Sequence, residues 1–313
     1  MADPRRATFL LSALAFVIAY AHVAAAQSPA PAARAQTLSV VVTDKNGHTV
    51  KGLKAEDFAV FQGKTRLPLV SFGGDDEPAS VGIVYDASSS VTDNPDRVRE
   101  ITKALFEFLN TAHPSNDYFV VAFNQKPQLL LPPTADRAAV GAALARVAVA
   151  RPRGETALYD ALYLAVDKAA YGRHAKRALL VISDGRDTVS QYSLKDARRA
   201  LIESDVTVFV IGLHNSPADL DYSGRAILEE LAYVSGGRLF VPSTTGELRG
   251  SFEMLGTELR HQYRLGFVPA PSARKDGWHE LKIKVADLVT PQNKKVSLVA
   301  RSRPGFYEAG IRR

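Results

Sequence analysis

Between Ser80 and about Arg260 short apolar runs alternate with longer amphipathic ones, and this alternation restricts the fold more than any other feature. The apolar runs are Val81–Tyr85, Tyr118–Phe123, Ala178–Ser183, Val206–Ile211 and Arg238–Val241. They are strand-length and mostly without polar alternation, the pattern of strands covered on both faces. The stretches 95–111, 135–149, 157–171, 193–203, 223–235 and 245–261 carry helical spacing. In the first, Val98, Ile101, Leu105 and Leu109 fall on one helix face. The expected fold is α/β: a doubly wound, mostly parallel sheet flanked by helices. Gln128–Leu131, closely following a strand, is expected as an antiparallel edge strand.

The flanks read differently. Leu38, Val40 and Val42 alternate with other residues up to a turn at Asp44-Lys45-Asn46-Gly47. Phe58–Gln62 and Arg66–Phe72 are expected strands joined by a tight turn at Gly63-Lys64, and Gly73-Gly74-Asp75-Asp76-Glu77-Pro78 reads as a linker. Beyond Arg260, period two returns in Gln262–Val268, Glu280–Val285 and Val296–Arg301. Two separate fragments of this size would bury too little surface to fold alone. They are therefore expected to share one small β-sandwich, residues 37–77 giving one part and 262–313 the other, with the α/β domain (78–261) inserted between them.

Residues 1–26 have the form of a signal peptide: Arg5-Arg6, an apolar stretch from Phe9 to Tyr20, then Ala24-Ala25-Ala26. The expected product is exported, periplasmic or secreted, with no stable membrane insertion after cleavage. Residues 27–36, with two prolines and no apolar period, read as a flexible lead-in.

Composition removes several chemistries. The chain has no cysteine, which excludes disulfides, a thiol nucleophile and thiolate zinc sites. Any metal must be held by oxygen or imidazole, and the seven histidines form no His-x-x-x-His pair, so hard cations lead. The net charge of +6 is spread along the chain, with only short clusters at Arg198-Arg199 and Lys294-Lys295, so no nucleic-acid partner is expected. No dinucleotide glycine motif, phosphate loop or nucleophile elbow occurs. Trp278 is read as core or edge packing, and Gly236-Gly237 as a helix-ending turn.

In a doubly wound sheet, ligands bind beyond the carboxyl ends of the strands, where strand order reverses. Three polar segments suit that edge: Asp86-Ala87-Ser88-Ser89-Ser90, Gly154-Glu155-Thr156-Ala157 and Asp184-Gly185. Alternation in the first puts Asp86, Ser88 and Ser90 on one side of an extended loop. Hydroxyls are neutral ligands, and two carboxylates balance a divalent charge; Mg2+ takes six oxygens at about 2.0–2.1 Å. Any one segment alone marks a turn. Together they describe an oxygen-ligated cation site.

These segments resemble the von Willebrand factor type A family, whose metal-ion-dependent adhesion site has the pattern Asp-x-Ser-x-Ser, then Thr, then Asp. Asp86, Ser88, Ser90, Thr156 and Asp184 match each element, and the resemblance covers about residues 78–262. It implies direct metal ligation by Ser88 and Ser90, ligation by Thr156 directly or through water, and ligation by Asp86 and Asp184 mostly through water. It further implies a protein partner whose Asp or Glu carboxylate completes the shell of Mg2+ (or Mn2+ or Ca2+), and a non-enzymatic role. Leu53-Lys54-Ala55-Glu56-Asp57-Phe58 and Arg303-Pro304-Gly305-Phe306-Tyr307 also resemble exported relatives in Acidobacteria.

Two other readings stay open. A Mg2+-dependent phosphohydrolase of the haloacid dehalogenase type also begins with an Asp at a first strand's end. It needs a second carboxylate two residues on, where this chain has Ser88, and a lysine near the third motif, where it has Arg186. The domain is otherwise purely structural, the metal ordering its loops. Asp160 is read as either an acceptor behind the site or a helix-surface or capping residue, and Asp187 as solvated.

Overall fold

Burial decides where the chain becomes strand. The computed structural model describes residues 35–149, 154–213, 222–271, 277–289 and 295–307. The expected signal peptide, most of the lead-in, His214 and Lys294 lie outside the described residues.

The chain enters through β1 (Gln36–Asp44), a 3-10 turn at Ala55–Asp57, β2 (Phe58–Gln62), β3 (Thr65–Leu67) and β4 (Leu69–Gly73). The α/β region then runs β5 (Ala79–Asp86), α1 (Ser89–Thr92), α2 (Pro95–Thr111), β6 (Asp117–Phe123), β7 (Pro127–Thr134), α3 (Arg137–Val149) and α4 (Leu158–Ala169). It continues with β8 (Lys176–Ser183), α5 (Leu194–Glu203), β9 (Val206–Gly212), α6 (Tyr222–Ser235), β10 (Arg238–Phe240) and α7 (Thr245–Arg260). The chain ends in β11 (Tyr263–Phe267), β12 (Trp278–Val285), β13 (Leu288–Val289), β14 (Lys295–Val296), β15 (Leu298–Arg301) and β16 (Gly305–Tyr307).

The central sheet has the order β10-β9-β8-β5-β6-β7, parallel except for β7, which pairs antiparallel to β6. β5, β8 and β9 are apolar on both faces because both are covered. α2, α3 and α7 pack on one side through Ile101, Leu105, Val140, Leu144, Phe252 and Leu255. α4, α5 and α6 pack on the other through Leu158, Leu162, Leu201, Leu228 and Leu231. Burying a side chain of this kind contributes about 1.5–3 kcal/mol. The strand order reverses beside β5: the chain moves to β6 on one side and returns to β8 on the other. In doubly wound sheets, ligands bind at the carboxyl ends of the strands beside such a reversal.

Strands from the two ends of the chain pair with each other. β1 lies between β11 and β15, with β4 outside β11, and β2 lies between β12 and β3. The two four-stranded sheets share one core that includes Leu38, Val40, Phe58, Val60, Tyr263 and Leu265, with the Phe58 and Tyr263 rings 5.2 Å apart. The expected single strand Arg66–Phe72 is two strands. Pro68 supplies no ladder N–H, and the chain passes there from β3 in one sheet to β4 in the other. Trp278 packs at the start of β12 against Tyr307, ring centroids 5.0 Å apart. Gly236, with φ +79°, and Gly237 follow α6, which ends at Ser235.

Ion pairs with one buried partner, through Glu258 and Arg303, join the α/β region to the flanking strands. Glu258 on α7 accepts from Arg238 on β10 at 2.7 Å and from Arg301 on β15. Arg303 reaches Asp205 at 2.7 Å and the carbonyl of Thr37 at 2.7 Å. Among the described residues no helix is long and apolar enough to cross a membrane.

Candidate functional site

The site begins with a carboxylate that the fold buries. Asp86 is the last residue of β5 and has no solvent exposure. Its Oδ1 accepts from the Ser88 backbone N–H at 2.9 Å and its Oδ2 from the Ser183 hydroxyl at 2.6 Å. Burial pushes the Asp86 carboxyl up to about 6; the charge of Asp184 adds to the rise, and the bonds from Ser183 and Ser88 oppose it.

The chain turns directly after Asp86. Ala87 N–H donates to the Phe123 carbonyl at 2.7 Å, fixing the loop to the end of β6. Ser88 then caps the single-turn helix α1, its carbonyl accepting from Val91 N–H at 3.2 Å and Thr92 N–H at 3.0 Å. The Ser88 and Ser90 hydroxyl oxygens lie 3.2 Å apart. Asp-x-Ser-x-Ser therefore folds as a strand end and one helical turn, rather than the wholly extended loop expected.

Thr156, buried, sits between Gly154 and the start of α4. Its loop is tied to the first by Ser89, whose Oγ lies 3.4 Å from Gly154 N and 3.5 Å from Gly154 O. Ala157 N–H donates to the Asn124 carbonyl at 2.7 Å, again at the end of β6.

The third segment leaves β8. Ser183, which bonds Asp86, also accepts from Gly185 N–H at 3.1 Å. Asp184 Oδ1 accepts from Arg186 N–H at 3.0 Å, and the Arg186 Nε lies 3.9 Å from Asp184 Oδ2. Gly185 has φ +82°, and a Cβ there would lie 2.2 Å from the Gly224 carbonyl oxygen on α6. Only glycine fits this close, left-handed position.

The structure thus bonds Asp86, Ser88 and Ser90 within one cluster and adds Asp184 through Ser183 and through its charge on Asp86. Thr156 is held at the same edge by the Ser89–Gly154 bonds. Sequence reasoning missed Ser183, although a hydroxyl ending the apolar run Ala178–Ile182 was a signal. It also misjudged Asp187, which is not simply solvated: its Oδ2 accepts from Tyr159 N–H at 3.1 Å and from the Ser190 hydroxyl at 2.5 Å. Asp160 Oδ1 accepts from Gln191 N–H at 2.9 Å and Tyr192 N–H at 3.0 Å, pinning the loop behind Asp184 to α4.

Chemically, this edge of the sheet carries two carboxylates and three hydroxyl-bearing residues, all hard oxygen donors. This donor set fits Mg2+, Mn2+ or Ca2+ and suits a soft or imidazole-seeking metal poorly. A divalent ion would also offset the mutual repulsion of Asp86 and Asp184.

Several known proteins are similar to this chain. A relative from Mycolicibacterium paratuberculosis, a UPF0353 protein, is 24% identical over 233 residues, covering 68% of each chain. A variant of the PilB minor pilin from Streptococcus sanguinis shares the fold, with a TM-score of 0.50 at 12% identity over 60% of this chain and 62% of that one. A von Willebrand factor type A protein from Catenulispora acidiphila aligns over 80% of this chain and 76% of that one, at 14% identity and a TM-score of 0.48. The family model for the von Willebrand factor type A domain matches residues 80–253, more than half of the sequence, and the chain belongs to that family.

Proposed function

We propose that Asp86, Ser88, Ser90, Thr156 and Asp184 hold a divalent cation, Mg2+ or its oxygen-ligated alternatives Mn2+ and Ca2+, and that the protein uses it to capture a carboxylate of a protein partner. When bound, the cation supplies Lewis acidity toward an incoming oxygen anion. The chain's own residues do the rest: Ser183 and the Ser88 N–H orient the Asp86 carboxylate, and the ties of both loops to the end of β6 hold the hydroxyls in place. The observation that carries the reading is Asp86 itself. A fully buried carboxylate, pushed up to about 6 by burial and by a second carboxylate, is a costly arrangement that a hard cation relieves.

The role is binding rather than bond breaking. A phosphohydrolase of the haloacid dehalogenase type needs an acid–base carboxylate two residues after Asp86; that position is Ser88, whose carbonyl caps α1 and whose hydroxyl faces Ser90. We read residues 1–26 as an export signal, which places the module in the periplasm or outside the cell. The test is calorimetric titration of Mg2+ and Mn2+ into wild type and Asp86→Ala, followed by metal-dependent pull-down from envelope extract. The reading predicts metal binding and partner capture by wild type only. Equal metal affinity in the two proteins would reject it, and a metal-bound protein that captures nothing would favour a purely structural domain.

A further inference from the structure

We infer that the loop from Asp184 to Ser193, together with the stacked tyrosines Tyr163 and Tyr192, is a preformed recognition rim. It would select partners that carry an apolar side chain about three residues from the captured carboxylate. The inference rests on the metal-capture reading above and adds to it the kind of partner that fits.

The loop has no regular secondary structure over most of its length, yet its backbone is held at many points. Thr156 N–H donates to the Thr188 hydroxyl at 2.9 Å, and the Thr156 carbonyl accepts from Thr188 N–H at 2.8 Å and Val189 N–H at 3.3 Å. The Asp187 carboxylate takes Tyr159 N–H, Ser190 N–H and the Ser190 hydroxyl, and the Asp160 carboxylate takes the next two N–H groups, of Gln191 and Tyr192. Two carboxylates, Asp187 in the loop and Asp160 on α4, thus fix the loop's shape against the helix. A loop already ordered loses less entropy when it binds.

The order serves a specific surface. Tyr192 at the loop's end lies flat on Tyr163 of α4, with centroids 4.0 Å apart and planes 7° from parallel. Both rings stay exposed, at 42% and 40%. Tyrosine contributes large contact area for few rotatable bonds and is enriched among residues that dominate binding energy. Tyr163 lies five residues past Leu158, roughly 8 Å along the helix axis from its start beside Thr156. An extended peptide advances about 3.3 Å per residue, so two to three of its residues cover that axial length. Arg186 stands between the two features in sequence, half of its side chain exposed and its Nε 3.9 Å from Asp184 Oδ2.

The experiment uses the full chain and two synthetic peptides of Gly-Ser background, one carrying a single Asp and one carrying Asp with Leu three residues away. Binding is followed by NMR titration with Mg2+ and with EDTA, and Mg2+ affinity is measured separately by calorimetry. The inference predicts that wild type binds the Asp–Leu peptide at least tenfold more tightly than the Asp peptide, and only with Mg2+. In Tyr163→Ala, Tyr192→Ala and the double variant that preference falls to within threefold, while Mg2+ affinity and melting temperature stay at wild-type values. An unchanged preference in the double variant, or equal binding of both peptides by Mg2+-loaded wild type, overturns the rim. Absence of Mg2+ binding in wild type is a separate result: it removes the metal reading and the rim with it.

Discussion

The two ends of β5 carry similar residues to different ends. At its start, Ser80 Oγ donates to Asp117 Oδ1 at 2.5 Å and accepts from His174 N–H at 2.9 Å. Asp117 Oδ2 accepts from Arg173 N–H at 3.2 Å, and Asn116 Oδ1 from Ala79 N–H at 2.7 Å. One carboxylate meets donors on several sides, and the ring closes on the backbone of the turn between α4 and β8. At the other end of the strand, Asp86 meets Ser183 and Ser88, but a second carboxylate, Asp184, lies close enough to raise its affinity for protons. Polar composition alone does not separate the two clusters. What separates them is that one neutralises itself with donors, whereas the other brings two carboxylates and several hydroxyls to the carboxyl edge of the sheet. The first holds the fold, and the second is where we propose that a cation binds.

The largest expected effect lies at the closed end. Asp117→Ala leaves the Ser80 hydroxyl and the Arg173 N–H without their buried acceptor and should cost about 2–4 kcal/mol of stability. Urea denaturation should show this loss equally with and without Mg2+; a loss that Mg2+ rescues would mean that the two ends are coupled.

At the open end the sign reverses. The Asp86 carboxyl is raised above its unfolded value, so the metal-free folded state holds its proton to higher pH than the unfolded chain does. The stability it confers is fully present below pH 4 and is lost as pH rises to about 6, by roughly 2–3 kcal/mol. Asp86→Asn in EDTA should therefore be flatter than wild type between pH 4 and 6 and no less stable at pH 7. Parallel profiles for the two proteins would show that Asp86 carries no such charge cost.

A smaller effect sharpens the contrast within the open end. Thr188→Val removes the hydroxyl that accepts from Thr156 N–H and should cost about 1 kcal/mol in stability. It should also weaken Mg2+ binding several-fold by loosening the Thr156 loop. Wild-type Mg2+ affinity in this variant would place Thr156 outside the ligand shell.

Much of this contrast was legible in sequence at its open end only. The three segments at the crevice stand out because Asp, Ser and Thr interrupt or follow apolar runs where a doubly wound sheet places its ligands. The central sheet and the six longer helices were legible for the same reason, since burial on two faces writes a continuous apolar run and burial on one face writes a helical stripe. The one-turn helix Ser89–Thr92 was not, being too short to show a period. The break at Pro68 was misread because the apolar alternation continues across it while the chain changes sheets. Asp187 was misread and Asp160 left between two readings because their work is local and three-dimensional: each carboxylate ties the loop after β8 to α4, contacts about thirty residues apart in sequence. The closed ring at Ser80 and Asp117 was invisible for the same reason.

The most direct test is the position of a bound ion. Mn2+ diffused into crystals should give an anomalous peak in the crevice between the ends of β5 and β8, touching the hydroxyls of Ser88 and Ser90. It should lose that peak in Asp86→Ala. A saturating Mn2+ soak with no density there, or a peak that persists in Asp86→Ala, would contradict the account.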